Sequence, residues 1–479
     1  MWPEVAMNEA PPDSGTDPRD RLPRVLTLWD AAMLIVASVV GAGIFYTPSQ
    51  VAALLPDASL ILLAWLVGAA LSVAGALANA ELGAMFPRAG GDYVYLREGL
   101  HPAAGFLVGW LSFFSIYAGT IAALALILGD ALSRVFGLGE IGELVIASGI
   151  ILFCSALNVR GVRVGAGFNN LTSTLKIAAL LGFVGFAALL GQGSFEPWWP
   201  SLSGQVGASV GPGSWVDAGA TGAASGWTRF GAALSPVLFS YLGWNASVYV
   251  ASEIRDPRRN VPRSLFLGLG LCTLLYLLVN VAYLYALSPA EMIATHDAGE
   301  AAAVALFGDR GGIWVSGFVL LSVLGTLNAT VLVGPRIAYA MALDGLFFGA
   351  ADRVHVSFRT PNIAIWLQAA VAIGLVAFLD NFPKALDFTV FAIVLATSAD
   401  VLALFALRRR RPELDRPYRA WGYPWLPGIY VLANLGIGSA LVVSSPRECF
   451  VTAALLAIGL LIYLGFARKA ENRRLQIPD

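Results

Sequence analysis

About twelve apolar runs of bilayer-spanning length leave this chain of 479 residues little choice of fold. They read as Leu28–Leu54, Leu60–Met85, Ala103–Leu132, Leu144–Val159, Phe168–Leu190, Phe230–Ser252, Leu265–Leu287, Ile313–Leu343, Ile363–Leu379, Phe388–Leu407, Leu426–Ser444 and Phe450–Phe466. About 20 apolar residues cross the hydrocarbon core as a helix, and a helix satisfies its own backbone where no water can. Hydrophobic residues make up 57% of the chain and charged residues only 13%. A soluble domain carries about 25% charged residues, so most of this chain belongs in lipid. The fold class that follows is an all-α integral membrane protein.

Lys and Arg set the orientation. With the N terminus inside, the loops holding Arg88 and Arg97, Arg160 and Arg163, Arg255 to Arg263, Arg353 and Arg359, and Arg408 to Arg419 all face the cytoplasm, as do both ends of the chain. Only Arg134, Arg229, Arg310, Lys384 and Arg447 fall outside, roughly 23 basic residues against about 5, which agrees with an even span count. The expected organisation is a disordered cytoplasmic tail over 1–27, with no signal-peptide core, five spans over 28–190, and an external loop over 191–229. Five more spans follow over 230–407, then a basic loop with two spans over 408–467, and a cytoplasmic tail over 468–479. The protein is expected in the plasma membrane, or the inner membrane of a bacterium. The Gly-, Ser-, Pro- and Trp-rich 191–229 loop reads as an ordinary exposed loop before it reads as a lid or partner surface.

The first span is irregular. Ser38-Val39-Val40-Gly41-Ala42-Gly43-Ile44-Phe45-Tyr46-Thr47-Pro48 places two glycines and a proline near mid-membrane. Either the small residues let two helices pack closely, or the helix breaks and its freed amides face a cavity. The sixth span repeats the pattern in Ser235-Pro236-Val237-Leu238-Phe239-Ser240-Tyr241-Leu242-Gly243-Trp244-Asn245. The two spans open two sets of five, and an odd number of spans per set makes the sets inverted repeats. Paired interruptions at matching places point to a midplane transport site. Amides of the first break suit an anionic group and carbonyls of the sixth suit an ammonium, so an α-amino acid suits both. Phe239 reads as a gate over such a substrate or as bundle packing.

Lys176 is the one lysine deep in a span, where a charge costs at least ~2.5–3.5 kcal/mol and reads as functional. It either donates to carbonyls freed by the first break, standing where a sodium ion would, or gives up its proton and acts as a proton carrier. Asp400 reads as a helix-end partner of a neighbouring polar group. Asn328 is a cavity wall or interhelical glue. Glu81 and Glu253 read as helix caps before conformational latches. Cys154, Cys272 and Cys449, with His101, His296 and His355, form no metal-ligand pattern, and no nucleophile–base pair appears in a span. No cofactor, metal site or enzyme activity is expected, and a net charge of −1 gives no pointer to nucleic acid.

Taken together these stretches resemble the amino acid–polyamine–organocation superfamily. Val40-Gly41-Ala42-Gly43-Ile44-Phe45 with Thr47-Pro48 is similar to its first-helix signature. Further likenesses are Glu81 to Glu98, Tyr241-Leu242-Gly243-Trp244-Asn245, Glu253 to Arg263, and Arg416 to Pro424. The nearest branch by these motifs is the L-type amino acid transporters and their prokaryotic relatives. The resemblance implies a LeuT-like five-plus-five inverted repeat with two further helices, working by alternating access. It implies substrate contacts from Val39, Ala42, Gly43 and Ile44 and from Phe239, Ser240 and Leu242. Lys176 matches the lysine that holds the sodium position in sodium-independent members. Two departures stand out: Ala42 lies where L-type members often have serine, and Leu242 replaces a small residue. Both favour small neutral amino acids, and no acidic residue in the first, third, sixth or eighth span points to cationic ones. The implied function is sodium-independent carriage of such amino acids, by exchange or by proton symport. The alternatives are a proton-coupled carrier of other amino acids or amines, and a nontransporting amino acid sensor.

Overall fold

The structure, a computed structural model, describes residues 20–55, 57–191, 193, 226–295, 297–378, 382–444 and 446–474. Most of the expected N-terminal tail and of the 191–229 loop lies outside the described residues, as does His296. The first span is the helix pair α1 (Leu28–Val39) and α2 (Gly43–Leu54). There follow α3 (Ala58–Met85), α4 (Asp92–Gly99), α5 (Pro102–Leu111), a π-helical turn (Ser112–Tyr117), α6 (Ala118–Phe136), α7 (Glu140–Val159) and α8 (Val162–Leu190). The second half holds α9 (Gly226–Tyr241), α10 (Ala246–Tyr249), α11 (Pro257–Ala286), α12 (Pro289–Ile293), α13 (Ala298–Phe307), α14 (Asp309–Val333) and α15 (Pro335–Leu343). The last helices are α16 (Asn362–Phe378), α17 (Phe382–Arg410), α18 (Trp425–Ser444) and α19 (Pro446–Arg474).

Among the described residues nine helices are long and apolar enough to span a bilayer, and the bent pair α1–α2 makes a tenth. Two of the twelve expected spans fall short of that measure for physical reasons. The sixth is cut in two at Leu242–Asn245, and α16 has 17 residues, a rise of only ~26 Å. The expected helix break in the first span is present, with a 49° bend between α1 and α2. Short helices α4, α12 and α13 lie between spans and were not expected from sequence, because none carries a long apolar run.

Local chemistry sets the ends of the first helix. Thr27 and Asp30 form a reciprocal capping box, with Asp30 N donating to Thr27 Oγ1 at 3.2 Å and Thr27 N to Asp30 Oδ2 at 2.7 Å. At the other end Val40 leaves the helical region with ψ 86°. Pro48 inside α2 has no N–H, so the Ile44 carbonyl loses its usual donor. Behind the breaks Trp65, Tyr241 and Tyr276 pack edge-on or tilted with ring centroids 5.2–6.1 Å apart. Tyr241 is therefore a packing residue, fully buried in that cluster.

One end of the bundle gathers the basic residues and is held by buried ion pairs. Glu253 and Arg336, both wholly buried, meet with Nε to Oε1 at 2.8 Å and Nη2 to Oε2 at 3.3 Å. Glu81, also wholly buried, receives Arg408 at 2.5 and 2.9 Å, Arg416 at 3.3 Å and the Ala420 amide at 2.6 Å. The cap reading of these two glutamates is corrected, since each is a charge removed from water and matched across helices. The missed partner is Arg336, whose place within the eighth apolar run hid it. Arg408 also stacks over Tyr423 at 3.9 Å while bound to Glu81. The chain entering α1 is tied to the same end, with Leu26 N bonded to Glu253 O at 2.9 Å and Arg255 N to Leu26 O at 2.8 Å.

Glu253→Gln leaves the Arg336 charge buried without its counter-ion, which costs about 3–5 kcal/mol when one member of a buried pair is removed. The expected outcome is a clear drop in thermal stability of the purified protein in detergent, partly restored in Glu253→Gln/Arg336→Met. An unchanged transition in the single variant would show the pair to be dispensable.

Candidate functional site

The two helix breaks are built against each other through glycines. A Cβ on Gly43 would sit 2.7 Å from Ser240 Oγ and 3.1 Å from its Cα. A Cβ on Gly243, whose φ is +97°, would sit 2.9–3.1 Å from Ser38. Each glycine thus lets a serine of the opposite break come into backbone contact, and Gly243 also holds a backbone shape that favours glycine. Ser240 Oγ closes the joint by donating to Thr47 Oγ1 at 2.8 Å.

Breaking a helix frees carbonyls that lipid cannot satisfy, and three other helices satisfy them here. Lys176 on α8 donates to Ala37 O at 3.0 Å, Val40 O at 2.6 Å and Thr326 Oγ1 at 3.1 Å. Thr326 Oγ1 on α14 donates in turn to Ala37 O at 2.8 Å, and Ser322 Oγ to Val40 O at 2.9 Å. Lys176 faces three acceptors, and only an ammonium has three hydrogens to give. The Tyr276 hydroxyl on α11 lies 2.8 Å from Val39 O and 3.0 Å from Ser240 O, so one phenol bridges both breaks. Sequence reasoning found Lys176 because an intramembrane lysine is conspicuous. It missed Tyr276, Ser322 and Thr326, which look like any other polar residue of a membrane helix.

Beside this joint lies a cavity of about 150 Å³. Of the seven residues implied as substrate contacts, Val39, Ala42, Gly43, Phe239, Ser240 and Leu242 line it. Ile44 does not; its side chain is fully buried. Gly43 and Ile44 open α2, so their amides are among the donors that a helix leaves without an internal acceptor, at the positive end of its dipole. The C-terminal end of α9 meets the same space with the opposite polarity. Phe239 is half-buried on the wall. The third span contributes Ile116 and Tyr117 from its π-helical turn, a distortion that often marks function.

One wall residue is acidic. Asp92, from α4, lines the cavity together with Tyr249 and Asn245. The sequence reading looked for acids in four spans and passed over this one, which sits between spans. Asp400 lies behind it, inside α17 and not at the expected helix end, held by Asn79 Nδ2 of α3 at 3.1 Å and facing Asp92. Asn328 is glue between helices and does not line the cavity: it accepts from Asn158 Nδ2 at 2.8 Å and donates to Asn169 Oδ1 at 2.6 Å.

The sequence of this chain matches the amino acid permease family over residues 26–466. It is 30% identical to the serine/threonine exchanger SteT of Bacillus subtilis, over 94% of this chain and 98% of that one. It is 28% identical to the b(0,+)-type amino acid transporter 1 of Mus musculus, over 93% and 88% of the two chains. With the Asc-type amino acid transporter 1 of Homo sapiens the identity is 26%, over 94% and 83%.

Tyr276→Phe removes the hydroxyl that joins Val39 O and Ser240 O. Val39 O keeps the Gly41 amide at 2.9 Å, but Ser240 O loses the phenol, and leaving a buried acceptor unpaired costs about 1–3 kcal/mol, so the variant is expected to unfold at lower temperature in detergent than the wild type. An equal melting temperature would mean that the bridge carries no stability.

Proposed function

The chain belongs to the amino acid permease family, and from that premise we propose that it carries small neutral L-amino acids across the membrane by alternating access, without sodium. It is a transporter and not an enzyme. The observation that carries this reading is the joint itself. One helix N-terminus and one helix C-terminus meet at a shared cavity, giving an anion-seeking and a cation-seeking end a few ångströms apart. An α-amino acid bears both charges on one carbon. In this reading the Ala42–Ile44 amides take the carboxylate, and the carbonyl end of α9 takes the ammonium. Ile44 takes part through its backbone, which is compatible with its buried side chain.

Substrate size follows from the wall. Leu242 and Val39 fill space on the side-chain side, Ala42 offers no hydroxyl, and about 150 Å³ holds a small amino acid with some water. The likeness to a serine/threonine exchanger supports the same choice. Sodium independence rests on Lys176. Its ammonium binds the carbonyls of the first break, the groups a sodium ion would require, and it does so with every hydrogen it has. We assign it as a fixed charge. Phe239 closes over the substrate as a gate.

The test is counterflow in proteoliposomes preloaded with unlabelled L-serine, with radiolabelled serine, alanine, threonine, leucine, phenylalanine or arginine outside, in sodium or choline buffer. The expected result is entry of serine, alanine and threonine at equal rates in both buffers. Entry that needs sodium contradicts the Lys176 assignment, and preference for phenylalanine or arginine contradicts the size and charge assignment.

Phe239→Ala is expected to slow serine counterflow at least tenfold while changing equilibrium binding less than threefold. An unchanged rate removes Phe239 as a gate.

A further inference from the structure

Asp92 opens α4 on the cavity wall and is 1% exposed, and Asp400 on α17 is fully buried. The two carboxyl groups face each other. Tyr249 donates its hydroxyl to Asp92 Oδ2 at 2.5 Å, and Asn79 Nδ2 donates to Asp400 Oδ2 at 3.1 Å. The other oxygen of each carboxyl, Oδ1, has no partner. Among the described residues neither aspartate forms an ion pair. The titratable groups that face them from the surrounding elements are phenols: Tyr95 on α4, Tyr117 on the π-helical turn, Tyr249 on α10 and Tyr430 on α18.

Two carboxylates that face each other, both buried and without a cation, cannot both be ionised. The pair therefore keeps one proton between two groups. Burial also holds the Asp92 carboxyl above the usual carboxylate range. The pair is wired to the substrate cavity. Asn245, in the sixth-span break, donates through Nδ2 to the Tyr249 hydroxyl at 3.1 Å, and that hydroxyl donates to Asp92. A movement of the break that shifts Tyr249 withdraws a donor from Asp92 and changes the affinity of the pair for its proton.

We propose that the Asp92–Asp400 carboxyl pair is the proton-binding site through which this permease couples amino acid movement to a proton. The inference rests on the carrier reading above, and it gives the proton a place separate from Lys176. In each cycle one proton enters from cavity water onto the pair and leaves from the pair to water on the other side, with no other change in bonding.

The experiment reconstitutes the full chain in proteoliposomes and compares the wild type with Asp400→Asn, a near-isosteric change at a residue that does not line the cavity. Two readings of labelled L-serine are taken: counterflow at equal pH on both sides, and net accumulation driven by an alkaline interior. The wild type is expected to accumulate serine at least tenfold above its level without a gradient. Asp400→Asn, which removes one of the two carboxyls that share the proton, is expected to lose that accumulation while keeping counterflow within about threefold. Wild-type counterflow with no response to the gradient overturns the proton site and leaves the carrier reading intact. Gradient-driven accumulation that survives in Asp400→Asn also overturns it. Absence of counterflow in the wild type overturns the carrier reading instead. Should Asp400→Asn lose counterflow, the pH dependence of serine binding in detergent decides: a profile flattened relative to wild type supports the site, and the wild-type profile overturns it.

Discussion

An unsatisfied backbone carbonyl in the middle of a membrane is what the rest of this structure is arranged to avoid. The break after Val39 exposes the carbonyls of Ala37, Val39 and Val40; Val39 O still accepts the Gly41 amide at 2.9 Å, and in lipid the other two would each cost several kcal/mol. Lys176, Ser322, Thr326 and Tyr276 reach them from α8, α14 and α11. The break is therefore not a weak point in one helix but a place where four helices are bonded together. Since Tyr276 also holds Ser240 O, the second break belongs to the same network. The cavity lies against the start of α2, on the far side of the first break.

The same principle, a polar group removed from water and then matched, appears at the basic end with a different result. Glu81 with Arg408 and Arg416, and Glu253 with Arg336, are matched charge for charge. These contacts join α3 to α17, and the segment after α10 to α15. The Asp92–Asp400 pair is the exception, because two acids face each other and, among the described residues, no base forms an ion pair with either. A matched pair resists change of protonation and holds helices in place. A like-charged pair invites it.

Much of this was legible in the sequence, and the physical reason is the same in each case: the signal was local. Apolar runs announce spans, Gly41, Gly43 and Pro48 in one run and Pro236 with Gly243 in another announce breaks, and Lys176 is conspicuous as a charge in an apolar segment. Six of the seven residues implied by resemblance do line one cavity. What escaped was relational. Glu81 and Glu253 looked like caps because their partners Arg408 and Arg336 lie far along the chain. Tyr276, Ser322 and Thr326 became significant only when α11 and α14 were placed against Val39 and Val40. Asp92 stands in a short helix between spans, and nothing near it in sequence announces Asp400. The clean count of twelve was softened by α16 and by the cut at Leu242–Asn245, where length and continuity run out together.

The account stands on one claim, that the joint of the two breaks holds the two charges of an amino acid. The most direct measurement is an electron cryo-microscopy structure of the protein with L-serine bound, at a resolution that orients the ligand. The account predicts the serine carboxylate on the Ala42, Gly43 and Ile44 amides and its ammonium at the carbonyl end of α9, with the Lys176 ammonium still on Ala37 O and Val40 O. Serine bound the other way round, bound through Lys176, or bound away from the joint would contradict it.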